Sequence, residues 1–175
     1  MATINADGLL LKYGNEGAEV ARGGELNTLG PNRITEIVIK GTELPLTATT
    51  ASSGAVVNMA LTHGIQIPSG ARIERLDFLV ETGFTSGGAA TLNIGFVRDD
   101  RSTELDFDGL LAALPVASIA TAGTFLEYVK GTALAGVLVG AALANNGVVT
   151  ADYDTAAFTA GKGVLRIYWN FPNTN

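Results

Sequence analysis

The chain has 175 residues, a formal net charge of −6 and no cysteine, which excludes disulfide frameworks, thiolate metal sites and cysteine nucleophiles. Hydrophobic residues make up 47% of it, enough for one packed core, while eleven scattered basic residues argue against nucleic acid as a partner. Charged residues are only 16%, against about 25% in typical domains. The composition therefore fits a subunit covered by neighbours, or a small-residue β-sandwich.

The first 32 residues combine a short apolar cluster with a glycine-rich stretch that keeps no helical or strand period. Two interpretations compete: an irregular arm laid across another subunit, or a first strand followed by a long surface loop. Structureless loops longer than about 12–15 residues are unusual in a compact domain, which favours the arm. We predict an arm, or first strand plus loop, at residues 1–32 and a β-sandwich domain at residues 33–175. The expected contacts of the arm are Leu9, Leu10, Leu11, Tyr13 and Val20.

Two strands are predicted before the middle of the chain. Residues 33–40 are rich in β-branched side chains and place Ile37 and Ile39 on one side of a strand. Residues 55–67 predict another strand, which a bulge interrupts at Gly64.

The chain is organised around residues 71–107, where two alternating segments are joined by a glycine-rich linker at residues 83–88. A period of two with one apolar side is typical of antiparallel strands that cover a core. The apolar sides are Leu76, Phe78 and Val80 in the first segment and Leu92, Ile94 and Phe96 in the second. The opposite side of the first strand, with Arg75, Asp77 and Glu81, is expected to face water or a partner. The linker suits a loop between sheet strands.

One short helix is predicted at residues 109–114. Asp106 or Asp108 can cap its start, and Pro115 ends it. The apolar run at residues 133–144 is too short to span a membrane, which needs about 20 residues. It is expected to be a buried strand or an ordered apolar loop, and no membrane association is expected.

The C-terminal third returns to strands, predicted at residues 124–130, 148–153 and 163–171. Asn145-Asn146-Gly147 is a strong signal for a hairpin turn. In the last strand, alternation places Leu165, Ile167 and Trp169 on one face. About eight strands separated by turn signals predict an all-β protein, an antiparallel sandwich of jelly-roll type.

Few residues are suited to catalysis or metal binding. His63 is the only histidine, so no histidine-based metal cluster can form. Asp152 and Asp154 flank a tyrosine at a strand end, but no general acid accompanies them. An acidic group could supply oxygen ligands for Ca²⁺, although it lacks EF-hand spacing; its members are Asp99, Asp100, Glu104, Asp106 and Asp108. We expect no catalytic residue, no metal and no cofactor.

Two segments carry a resemblance to a known family. TLNIGFVRDDRSTELDFDGLLAAL at residues 91–114 and ANNGVVTADYDTAAFTAGKGVLRIYWNF at residues 144–171 resemble the capsid cement or decoration proteins of tailed bacteriophages. The resemblance implies a jelly-roll knob, expected to be a homotrimer, seated on the outside of the capsid where major capsid proteins meet. It implies a location on the virion after synthesis in the host cytoplasm, and no enzymatic activity. In this setting the arm would bind the shell or a neighbouring subunit.

Two other classes stay open. One is a head-fibre or tail-associated sandwich that binds carbohydrate or the host, and the other is a tail or baseplate subunit. Aromatic residues exposed together on one sheet face would favour sugar binding, whereas a broad face of Ala, Thr and Leu would favour packing. Trp169, Tyr168 and Phe171 are the aromatic candidates, but alternation assigns Trp169 to the core.

Overall fold

A computed structural model of the chain describes residues 3–4, 10–13, 24–27, 32–46, 65–101 and 103–172. Eleven strands lie in these ranges: β1 Thr3–Ile4, β2 Leu10–Tyr13, β3 Gly24–Asn27, β4 Asn32–Lys40, β5 Gln66–Ile67, β6 Arg72–Ser86, β7 Thr91–Arg98, β8 Glu104–Pro115, β9 Phe125–Val129, β10 Gly147–Asp154 and β11 Phe158–Asn170. Two short 3-10 turns, Gly41–Glu43 and Val116–Ile119, complete the regular structure of this part of the chain. None of its helices is long and apolar enough to cross a membrane.

The described strands form two antiparallel sheets, in the orders β1-β2-β3-β4-β11-β6-β9 and β5-β10-β7-β8. Four of the pairings are nested: β4 with β11, β5 with β10, β6 with β9, and β7 with β8. The chain is thus one long hairpin, with its tip between β7 and β8, rolled up so that β11 also meets β6 and β10 also meets β7. This is the jelly-roll arrangement, and the predicted all-β sandwich is confirmed.

The core lies between the two sheets, and strand alternation identified its side chains correctly. Leu165, Ile167 and Trp169 of β11 are buried, as are the apolar sides predicted for β4, β6 and β7. The phenyl rings of Phe84 and Phe158 meet edge to face with their centroids 5.4 Å apart. Trp169 is a core residue, as predicted, because a period-two strand with one buried face leaves no other place for it.

The two central segments, predicted as strands joined by a loop, do not pair with each other. β6 and β7 lie in different sheets, where β6 pairs with β11 and β9 while β7 pairs with β10 and β8. β6 also continues to Ser86, so most of the predicted linker is strand. At Gly83 a β-carbon would lie 2.1 Å from the carbonyl oxygen of Ala120. This glycine therefore lets another segment cross the strand closely, and does not mark a loop.

The predicted helix at residues 109–114 is wrong, because this segment belongs to β8. β8 is irregular here. Ile94 pairs with Leu111 and Phe96 pairs with Asp106, so β8 contains three more residues than β7 between these two pairs. At Gly95 a β-carbon would lie 2.0 Å from the Asp106 carbonyl oxygen, so only glycine lets this wide bulge form. Leu110, Leu111 and Leu114 have the spacing of one helical face, but they lie on a kinked strand and are buried there.

Asp106 and Asp108 are consequently not helix caps. The Asp106 carboxylate accepts the backbone N–H of Asp108 at 3.3 Å, which is a local turn contact inside the strand.

Residues 133–144 form an ordered loop, the second of the two predicted alternatives. The loop lies along the edge of β8, where Ala112 N–H donates to the Leu134 carbonyl and Gly136 N–H to the Leu110 carbonyl. The hairpin predicted at Asn146 is wrong, because the strands before and after it lie in different sheets. The long strand predicted at residues 55–67 is described only at its end, β5, and Gly64 lies outside the described residues.

The N-terminal strands extend the larger sheet. β3 pairs with β4, β2 with β3, and β1 with β2, all antiparallel. Residues 5–9, 14–23 and 28–31 lie outside the described residues. The division of the chain at residue 32 stays a prediction.

Candidate interaction surface

The most organised surface of the described chain is the side of the larger sheet that faces away from the core. We call this side of β4, β11, β6 and β9 the outer face. The strands are in register, so their outward side chains stand in rows that cross all four strands. Three adjacent rows differ in chemistry, and each row takes one residue from each strand.

The middle row is charged and consists of Glu36, Arg166, Asp77 and Glu127. Arg166 Nε donates to Glu36 Oε2 at 2.8 Å, and this hydrogen bond is the main cause that raises the pKa of Arg166 above its ordinary value. Arg75, from the next row, bridges Glu127 at 3.2 Å and Asp77 at 3.5 Å. The arginines thus form two groups of ion pairs across neighbouring strands, and we call this row the charged row.

Asp77 is the unusual member of the charged row. Its side chain is only 5% exposed, and its Oδ1 has no hydrogen-bond partner. Strands are poor in aspartate, and a buried carboxylate oxygen without a partner carries a desolvation cost. The Asp77 Oδ1 is therefore a buried acceptor beneath the outer face, with an accessible surface below 1 Å².

A second row lies next to the charged row, on the side of the first residue of β9. We call it the apolar row. It consists of Val38, Val164, Leu79 and Phe125. Val164 is buried by its neighbours, whereas Phe125 at the sheet edge is 53% exposed. A continuous apolar band on an outward sheet face, bordered by charges, is typical of a contact surface for another protein.

The third row lies on the other side of the charged row and consists of Ile34, Tyr168, Arg75 and Val129. We call it the mixed row. The Arg75 guanidinium stacks 4.0 Å from the centroid of the Tyr168 ring, a cation–π contact that covers the ring. Tyr168 is therefore not an open platform for a sugar ring.

The two edges near this surface differ. The edge of β8 is covered by the loop at residues 134–138. At the edge of β9, Val129 N–H donates to the Thr132 hydroxyl at 3.2 Å, and Thr132 N–H donates to the Val129 carbonyl at 2.9 Å. This turn occupies one of the outward backbone positions of a strand only five residues long. Short, capped edges disfavour strand addition, so contacts through side chains of the outer face are favoured.

The residues predicted to contact a shell or subunit are placed only in part. Leu10, Leu11 and Tyr13 belong to β2, whose backbone lies between β1 and β3. Leu9 and Val20 lie outside the described residues. The sequence assigns Arg75 and Asp77 to the outward side of their strand, but alternation within one strand carries no information on which strands are neighbours. The rows were therefore missed.

The carboxylates considered for catalysis are held in structural contacts. Asp152 is fully buried and accepts a hydrogen bond from the Asn93 amide at 3.0 Å, while Asn93 Oδ1 accepts the Ala113 N–H at 2.8 Å. This bridge joins β10 to β7 and to the irregular end of β8. Asp154 accepts the N–H of Thr155 in the following turn. His63 lies outside the described residues.

The acidic group considered for Ca²⁺ is divided between two places. Asp99 and Asp100 are exposed at the tip of the rolled hairpin, and Asp99 accepts a hydrogen bond from the Asn146 amide at 3.2 Å. Glu104, Asp106 and Asp108 follow on β8. Burial, and next the hydrogen bond with Asp108, raise the pKa of Asp106 to about 6. Within the described ranges, no three His, Cys, Asp or Glu residues are grouped so that they could hold a metal ion.

Comparisons with known proteins find likeness only among solved structures. No family model and no curated protein matches the sequence. A chain of the acid-stable capsid of Helicobacter pylori bacteriophage KHP30 is 16% identical, with 85% of this chain and 94% of that chain covered and a TM-score of 0.48. A chain of the cyanophage Pam1 capsid is 15% identical, with coverages of 83% and 89% and a TM-score of 0.49. A chain of the Ralstonia phage GP4 capsid is 16% identical, with coverages of 81% and 86% and a TM-score of 0.40. No functional assignment follows from likenesses of this strength.

Proposed function

We propose that the protein is a structural virion protein of a tailed bacteriophage, which binds the outer surface of the capsid and stabilises it as a cement or decoration protein. The observation that carries the proposal is the outer face: an apolar row beside a charged row, both built from regular strands on a rigid jelly roll. Such a surface recognises another protein by shape and charge. The resemblance of residues 91–114 and 144–171 to phage decoration proteins supports the capsid as the protein that this surface binds.

The chemistry of the described side chains supports a structural role over an enzymatic one. The arginines of the outer face are engaged by acids across neighbouring strands, at 2.8 Å for Arg166 and Glu36. The fully buried Asp152 is engaged by Asn93. A general base has to reach a substrate proton, whereas these groups join one strand to another. They therefore stiffen the knob.

The proposed assembly is a homotrimer whose partners are itself and the major capsid protein. Residues 1–32 act as the arm, with Leu9, Leu10, Leu11, Tyr13 and Val20 as the anchors on the shell or the neighbouring subunit. The protein is made in the host cytoplasm and is located on the capsid exterior. Its net charge of −6 fits a protein that does not contact the packaged nucleic acid.

The test is co-sedimentation of the full chain with empty phage shells that lack it. We expect saturable binding to the shells and higher shell stability to heat. An absence of binding would contradict the proposal, and so would binding to host surface glycans in place of shells, the outcome expected of a head-fibre or tail-associated sandwich. Sedimentation of the free chain tests the trimer separately.

A further inference from the structure

We propose that Asn146 is a site of spontaneous deamidation, which the hydrogen bonds of its side chain suppress as long as this end of the knob stays closed. Asn146-Gly147 is the only Asn-Gly sequence in the chain. Deamidation is fastest before glycine, because glycine has no side chain to hinder its backbone nitrogen and its backbone rotates freely. The inference concerns the free protein and does not depend on the proposed function.

The reaction consumes only water. The backbone nitrogen of Gly147 attacks Cγ of Asn146, so that a new C–N bond forms while the bond from Cγ to Nδ2 breaks. The attacking nitrogen loses its proton, and Nδ2 leaves as ammonia. Water then opens the resulting cyclic imide at either of its two carbonyl groups. The products are aspartate or isoaspartate and one ammonium ion, with no oxidation or reduction.

The Asn146 side chain connects three parts of the chain that lie far apart in the sequence. Its Oδ1 accepts the backbone N–H of Ser69, in the turn before β6, at 2.9 Å. Its Nδ2 donates to Oδ2 of Asp99, at the tip between β7 and β8, at 3.2 Å. The Ser69 hydroxyl also donates to the carbonyl of Ala144 at 3.0 Å. Attack on Cγ requires the amide to turn toward the Gly147 nitrogen, and both side-chain bonds resist that rotation.

The backbone of Gly147 is held as well. This residue is buried at the start of β10, where it pairs with Ile67 of β5 and Arg98 of β7. Closing the imide ring requires rotation of the backbone, which strand pairing on both sides opposes. A β-carbon at Gly147 would lie 2.8 Å from the ring of Phe96, so packing requires glycine here. The native fold therefore uses both residues of a reactive pair and also restrains their reaction.

Deamidation would change this end of the knob permanently. It replaces a hydrogen-bond donor by a carboxylate oxygen at the position where Nδ2 lies 3.2 Å from Asp99. Two carboxylates at such a distance repel each other. The isoaspartate product also adds one carbon atom to the main chain between Ala144 and β10. Because neither product can restore the original contacts, a chain that has reacted stays loosened at this end.

Peptide mapping by mass spectrometry tests the proposal. One tryptic peptide, residues 131–162, contains both Asn145 and Asn146, and fragmentation distinguishes them. The full chain is kept in mildly alkaline buffer, either folded or denatured in guanidinium chloride. Asn146 should react at least about tenfold more slowly in the folded chain, because the reaction has to wait for local opening. In the denatured chain it should react several-fold faster than Asn145, the internal control.

Equal rates at Asn146 in the folded and the denatured chain would overturn the protection. Equal rates at Asn145 and Asn146 in the denatured chain would overturn the assignment of the reactive site.

Two substitutions at Asp99 test which contact protects the amide. Asp99→Ala removes the acceptor of Nδ2 and should raise the rate at Asn146 in the folded chain several-fold. Asp99→Asn keeps a side-chain oxygen as acceptor and should leave the rate near that of the natural chain. The denatured variants should all react alike, since the reacting atoms are unchanged. If folded Asp99→Ala reacts as slowly as the natural chain while circular dichroism shows native structure, the Asp99 contact does not protect Asn146.

The consequence of the reaction is tested with Asn146→Asp, which has the aspartate of one product. It should lower the midpoint of thermal unfolding, and adding Asp99→Asn should restore most of the loss, because the repulsion is removed. Asn145→Asp is the control, since it adds the same charge one residue away. If Asn146→Asp is as stable as Asn145→Asp, deamidation does not loosen this end of the knob.

Discussion

The indole nitrogen of Trp169 donates a 2.8 Å hydrogen bond to the hydroxyl of Thr35, and both side chains are buried. The two residues belong to the last strand and to β4, the outermost nested pair of the jelly roll, and are 134 positions apart in the sequence. The bond satisfies the one polar atom of the largest core side chain. It thereby fixes where the end of the chain meets the start of the roll.

Replacing Thr35 by Val should lower the free energy of unfolding by about 1–3 kcal/mol, because the shape is kept while the buried indole N–H loses its acceptor. Denaturant titration at neutral pH measures the change. Thr159→Val is the control: its hydroxyl contacts Thr85 at an exposed site, so water replaces the partner. Equal effects of the two substitutions would show that the Trp169 contact is not a significant source of stability.

Gly95→Ala should destabilise the protein by about 1–3 kcal/mol or prevent folding, since the new methyl group would lie 2.0 Å from the Asp106 carbonyl oxygen. Gly87→Ala is the matched control, because a β-carbon there has no neighbour within 4 Å. Thermal unfolding compares the two variants. A Gly95→Ala protein as stable as the control would mean that the β8 bulge can move away from β7.

The pKa of Asp106 predicts a dependence of stability on pH. Burial holds its pKa at about 6 in the folded state, against 3.8 ordinarily. Between these values the unfolded chain releases the proton that the folded chain retains, so the free energy of unfolding falls as pH rises from 3.8 to about 6. Because the group is partly exposed, screening reduces the expected loss to about 1 kcal/mol.

Asp106→Asn should abolish most of this fall and stabilise the protein at pH 7. Denaturant titrations at several pH values measure it, with Asp100→Asn as an exposed control on the nearby tip. An unchanged pH profile in the Asp106→Asn variant would assign the dependence to other groups.

Removal of residues 1–31 should leave a folded domain that binds shells or self-associates more weakly. A glycine-rich segment without a period buries too little apolar surface alone to offset an ordering entropy of about 1–2 kcal/mol per residue. Circular dichroism and co-sedimentation measure the two properties separately. β3 pairs with β4. If the shortened chain unfolds, the segment belongs to the sandwich and the arm prediction is wrong. If the shortened chain folds and binds as before, the segment has no role in shell binding or self-association.

The sequence by itself determined the all-β class and the buried faces of β4, β6, β7 and β11. A period of two is a local property, and a face such as Leu165, Ile167 and Trp169 is readable within a few residues. For the same reason the sequence assigns Arg75 and Asp77 to the outward side of their strand without any knowledge of the neighbouring strands. Composition and the missing cysteine excluded whole classes of site, because they depend on no geometry.

Only the tertiary structure decided which strands are neighbours. Strand pairing joins distant residues, so adjacent segments such as β6 and β7 separated into different sheets, and Asn146 did not form a hairpin. Residues 109–114 have leucines spaced for a helix, yet pairing on both edges and the opening at Gly95 make them a kinked strand. The outer face exists for the same reason. Glu36, Arg166 and Asp77 become one row only after the rolled hairpin places β4, β11 and β6 side by side.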